Sequence, residues 1–195
     1  MFSRCLSALA IFALPTVLFA QSDAYQTRYA SNLNIGDSMI NIMNTGVVNG
    51  YSPAGDICAN VYVYGPYQHV QACCSCLITP NGLFSLSARK DLLNNTLSGK
   101  VPTSIVIKLT ATKPSEDGCD AASPGGFVPG MRAWGTTLHT VPGGYALTET
   151  AFAYSTGSSS EFAKLTTQCS EIQDIGAGSG ICSSCRAGGL ATPKL

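Results

Sequence analysis

Apolar residues in this chain recur mainly with a period of two, in short runs broken by glycine, proline and asparagine, a pattern of many short strands. The clearest run is Cys58-Ala-Asn-Val-Tyr-Val-Tyr64, then Gly65-Pro66-Tyr67-Gln68, then His69 to Ile78. Valine, tyrosine and isoleucine favour strands and the Gly-Pro step is turn material, so the stretch predicts a β-hairpin. Successive strand residues point to opposite faces. Cys74 and Cys76 are therefore expected on one face and Cys73 on the other, with three different disulfide partners.

Further strands are expected over Leu33 to Val48 (one or two), Leu83 to Leu86 and Ser104 to Thr112. A second hairpin is expected from Met131 to Val141 and Tyr145 to Tyr154, joined by Pro142-Gly143-Gly144. Two segments read as helices. Ser87 to Gly99 has serine in front, leucines at 92, 93 and 97, and a closing glycine. Ser158-Ser-Ser-Glu161 resembles a capping box, followed by Phe162, Leu165, Cys169 and Ile172 on one helical face. The expected fold is mainly β, a disulfide-stapled β-sandwich-like domain with two short helices.

The start of the chain follows different rules. A short positive beginning, Met1 to Arg4, precedes an uncharged apolar stretch from Cys5 to Ala20, the profile of a secretory leader. It is shorter than the roughly 20 apolar residues of a membrane span. Residues 1–20 are read as a signal peptide, residues 21–32 as a flexible N-terminal arm, and residues 33–195 as one disulfide-rich domain. No membrane span is expected in the mature chain, and the location is secreted, periplasmic or cell-surface.

Composition sharpens this picture. Eleven Lys and Arg balance eleven Asp and Glu, and only 11% of residues are charged, which disfavours nucleic-acid binding. Nine cysteines become eight once Cys5 leaves with the leader: Cys58, Cys73, Cys74, Cys76, Cys119, Cys169, Cys182 and Cys185. An even set in an oxidising compartment reads as up to four disulfides, whose pairing the sequence does not choose.

Gly36-Asp37-Ser38 resembles the first block of Gly-Asp-Ser esterases, but no Asp-x-x-His follows: Pro66 stands three residues before His69 and Thr136 before His139. Cys182-Ser-Ser-Cys185 has thiol-oxidoreductase spacing, yet Arg186-Ala-Gly-Gly is a poor helix start, and a structural bridge is the better reading. Zinc held by these cysteines with Cys73, Cys74 and Cys76 is disfavoured by export. The acidic loop Glu116 to Asp120 misses calcium-loop spacing. Asn94-Asn95-Thr96 fits a glycosylation acceptor and marks an exposed site. No catalytic residue, metal site or cofactor is predicted. Tyr62, Tyr64 and Tyr67 are the candidate interaction surface, with strand alternation favouring packing as their first role.

The segments Asp56 to Tyr64, Cys73 to Gly82 and Asp91 to Leu97 resemble uncharacterised secreted cysteine-rich proteins of Acidobacteria. That resemblance implies export from a diderm bacterium and supplies no activity. The expected role is an exported structural or binding protein of the cell envelope or extracellular space, with a self-assembling surface-layer or filament subunit as one form of it. Its partner is another copy or another extracellular macromolecule. The alternative is a secreted hydrolase or thiol-redox enzyme with an unrecognised site.

Overall fold

The structure is a computed structural model, and it describes residues 23–50, 53–176, 178–183 and 186–187. The leader segment therefore lies outside the described residues. Two five-stranded antiparallel sheets face each other. The first has the order β4 (Val70–Ile78), β3 (Ile57–Tyr64), β6 (Ile105–Thr112), β1 (Tyr25–Ala30), β9 (Ala153–Tyr154). The second has the order β10 (Arg186–Ala187), β5 (Leu83–Ser87), β2 (Met39–Asn44), β7 (Met131–Val141), β8 (Gly144–Ala151). The expected mainly β, disulfide-stapled sandwich is what forms.

The inner faces supply the principal core. Val61 and Val63 of β3, Ile105, Ile107 and Leu109 of β6, and Ile40 and Ile42 of β2 are fully buried there. Each such side chain contributes roughly 1.5–3 kcal/mol by leaving water. The outer face of the first sheet is also covered. Helix α1 (Ser159–Asp174) begins at Ser158, whose hydroxyl accepts from the Glu161 N–H, and buries Leu165, Cys169 and Ile172. That face packs on Tyr25, Tyr62, Tyr64 and Cys73, a second, smaller core.

This layer corrects the expected tyrosine surface. Tyr62 is fully buried and Tyr64 nearly so; only Tyr67 remains open, at 83% exposure. The Tyr62 hydroxyl donates to the Ala121 carbonyl at 2.7 Å and the Tyr64 hydroxyl to Gln168 Oε1 at 2.6 Å, so both polar tips are satisfied under the cover. Alternation put the two rings on one face, but what covers that face comes from residues some sixty to a hundred positions later.

The phenols give a testable alkaline limit. Burial first, and the Glu161 carboxylate second, pushes the Tyr25 pKa up to about 12; burial also raises Tyr62 and Tyr64 above the ordinary tyrosine value. In the unfolded chain these groups titrate near ~10. Their contribution is thus complete below the unfolded value and is lost as pH climbs through the folded ones. Urea midpoints measured promptly after mixing are expected to decline from about pH 10 towards pH 12. A midpoint constant across that window would contradict the burial of these phenols.

The arm is the second correction. Residues 25–30 form an interior strand, pairing from Tyr25 to Ala30 with β6 and through Gln26 and Thr27 with β9. Its alternation was hidden because polar side chains occupy buried positions. Gln26 Nε2 donates to the Met131 carbonyl at 2.9 Å. Arg28 Nη1 donates to the Thr150 carbonyl at 2.7 Å and Nη2 to Thr137 Oγ1 at 2.7 Å, with Phe152 5.7 Å beneath the guanidinium. Gly135 leaves the room: a Cβ there would stand 2.7 Å from the Met39 carbonyl and 3.1 Å from Arg28 Nε.

The expected helix from Ser87 to Gly99 shortens to one π-type turn over Ala88–Leu92. Asp91 turns back to accept the Ser87 N–H at 2.7 Å, and Leu92 and Leu93 are buried where the turn ends.

Candidate functional site

The chemical motifs fold into structural roles. Ser38 is fully buried and its hydroxyl donates to the Thr136 carbonyl, so it presents no nucleophile. Asp37 beside it accepts from the Ser38 and Arg89 N–H groups and from the Ser87 hydroxyl, anchoring the π-type turn. The Gly36-Asp37-Ser38 block is a clamp between loop and sheet.

Three disulfides join described cysteines: Cys58 to Cys119, Cys73 to Cys169, and Cys74 to Cys182. Cys76 is disulfide-bonded as well, while Cys185 lies outside the described residues. Cys73 faces α1 and Cys74 packs against the inter-sheet core, which is the opposed facing expected from strand alternation. The bond from Cys182 to Cys74 removes the thiolate that a redox site or a zinc ligand set would need there. In the acidic loop, Asp120 Oδ1 accepts from the Ala122 N–H and from Gln173 Nε2, tying that loop to α1.

Two features remain open to a partner. One is a groove of about 690 Å³ between the β3–β4 turn and residues 97–103. Tyr67, His69 and Lys100 are exposed on its walls, and Leu97 and Val101 give it an apolar strip. Its size lies in the range of ligand pockets. Gln71, nearly buried, braces both walls: its Nε2 donates to the His69 carbonyl at 3.2 Å and its Oε1 accepts from the Ser98 hydroxyl at 2.8 Å. Ser98 is thereby committed to the brace. The groove offers stacking, hydrogen bonding and positive charge rather than nucleophilic chemistry. Of its residues only Tyr67 stands out in the sequence as a contact candidate. Gln71 and Lys100 carry no local signal, because their role comes from bringing residues 69–71 beside 97–103.

The other is the β7–β8 hairpin. β2 pairs with β7 only as far as Gly135, and beyond it β7 and β8 pair with each other out to Val141 and Gly144. The connection Pro142-Gly143 places Gly143 at φ +84°, as a Pro-Gly turn requires. Buried Leu138, held by Asn32 Nδ2 on its carbonyl at 2.7 Å, roots the ribbon. All eight residues of β8 are exposed, including Tyr145 and Leu147 at 55% and 56%.

No protein-family model matches the chain, and no curated protein matches it. A solved structure, that of Thermotoga maritima 1070, aligns over 70% of this chain and 99% of its own length at 13% identity. The TM-score of 0.41 is too low for anything about this chain to be taken from it. Among the described residues no helix is long and apolar enough to cross a membrane.

Proposed function

We propose that this chain is an exported, non-enzymatic subunit that associates with further copies of itself by strand addition at β8. The leader-like residues 1–20 and the disulfide frame support export, since such bonds persist in oxidising compartments. The observation that carries the assembly is the contrast among sheet edges. β9 and β10 are two residues each, and β4 is bridged along part of its length by Gly180 to Cys182. β8 is eight residues long, fully exposed, and has no proline or lysine, the devices by which edges are usually guarded.

The pairing has a definite register. In a hairpin closed by two residues the terminal pair, Val141 and Gly144, exchanges hydrogen bonds, so outward N–H and C=O groups fall on Tyr145, Leu147 and Glu149. A second β8 pairing antiparallel about Leu147 sets Tyr145 against Glu149 of the other copy and no carboxylate against a carboxylate. Such two-fold pairing joins two sheets into one.

Sedimentation of the oxidised chain is expected to show self-association, and Leu147→Lys to weaken it tenfold or more, about 1.4 kcal/mol or above. Because Leu147 is exposed, the thermal midpoint of the variant, measured at a dilution where both proteins are monomers, should stay that of the parent. A parent protein still monomeric at about 100 µM, where an interface with a Kd of ~10 µM is mostly filled, would sink the reading.

A further inference from the structure

We propose that the groove beside Tyr67 binds an acidic polysaccharide, a use of the molecule separate from its β8 edge. Four observations meet there. Tyr67 is held out at the β3–β4 turn, 83% exposed, where the Gly65 N–H bonds to the His69 carbonyl and Gln68 sits at φ +64°. A lone exposed ring on a tight, hydrogen-bonded turn is a stacking platform for the apolar face of a sugar. The walls are set beforehand by Gln71, so little ordering is needed on binding.

Charge then selects the sugar. A second depression of about 510 Å³ adjoins the groove at Val101 and carries Arg89 and Lys90 on its rim. Together with Lys100 these three cations form no ion pair within 4 Å among the described residues. Elsewhere Lys108 pairs with Glu161, Arg132 with Asp23, Lys164 lies over the Tyr64 ring and Arg28 is buried, while exposed Lys113 lines neither depression. The acidic group lining either depression is Asp37, already accepting three hydrogen bonds. In a chain of zero formal net charge this is a local excess of positive charge along an elongated concave path. A ligand complementary to it repeats negative charge and also presents ring faces, which a uronic acid polymer does. Nucleic acid is the less suitable polyanion, because one exposed ring and three cations fall short of its usual basic footprint.

The test uses polygalacturonate as probe, dextran as the neutral counterpart and polyphosphate as the ring-free polyanion, read by calorimetry at low salt. Expected are binding to polygalacturonate that weakens as salt is raised, at least tenfold weaker binding to the other two, and a fivefold or greater loss in both Tyr67→Ala and Lys100→Glu. Both side chains are exposed, and circular dichroism checks that the variants keep the parent fold. The proposal is overturned by no binding to polygalacturonate, by variants that bind as the parent does, or by polyphosphate binding equally well with Tyr67→Ala without effect. Sedimentation of the same variants should leave self-association through β8 unchanged, so the two readings fail separately.

Discussion

Deleting residues 23–30 is expected to abolish cooperative folding rather than trim a tail. The strand removed pairs with β6 from Ile105 to Thr110, and the deleted segment carries buried Ala24, Tyr25 and Ala30 into the packed layers. Losing the Tyr25 burial and about six ladder hydrogen bonds, at ~1 kcal/mol net each, amounts to roughly 8 kcal/mol before the void is considered. Domains of this kind have only about 5–15 kcal/mol in total. The deletion also withdraws Arg28 from Thr137 and Thr150, so the root of the β7–β8 ribbon loses its tie to the first sheet. The expected outcome is loss of near-ultraviolet dichroism and of a sigmoidal urea transition, with β6 left as a new bare edge. A deletion variant unfolding cooperatively at the parent's midpoint would contradict the placement of β1.

Replacing Cys73 and Cys169 together by alanine is expected to cost about 3 kcal/mol, less than the ~4.7 kcal/mol that a lone loop near a hundred residues long suggests. The two cysteines are 96 residues apart, but Cys74 to Cys182 already joins the same two regions of chain. With that bond in place the unfolded-state loop closed by Cys73 and Cys169 spans only about 14 residues, for which the chain-entropy relation gives about 3 kcal/mol. A domain this size should lose roughly 6–12 °C in its thermal midpoint. Helix α1 should lose hydrogen-exchange protection ahead of the sandwich, because the packing of Leu165 and Ile172 and the side-chain bonds of Glu161, Gln168 and Gln173 then hold it without a covalent tie. A change below about 2 °C would show that the bridge does not constrain the unfolded chain in this way.

Both expectations turn on contacts distant in sequence, which local periodicity does not encode. β3 is legible because valine and tyrosine alternate at its end, β6 because isoleucine, valine and leucine crowd its start, and β4 because it returns from the Gly65-Pro66 turn. Helix α1 was legible because Leu165, Cys169 and Ile172 recur at helical spacing behind a serine cap. β1 was not. Its buried Gln26 and Arg28 look solvent-facing until Met131 and Thr150, 105 and 122 residues away, are brought to accept their hydrogen bonds. Of the groove, only Tyr67 stood out beforehand, and for a surface it was expected to share with two rings that the fold buries.

From its residues alone the chain determined its strand and helix periods, its hairpin turns, the even cysteine set after a leader-like start, and the opposition of Cys73 to Cys74 and Cys76. Those properties follow from local geometry, since a side chain's face depends only on its place in the strand. Tertiary structure alone decided which face each layer covers, which described cysteines meet, that residues 25–30 lie inside a sheet, and that β8 is the long edge left bare. The physical reason is that alternation distinguishes two faces without naming their neighbours, and the neighbours here arrive through the crossed order β4-β3-β6-β1-β9.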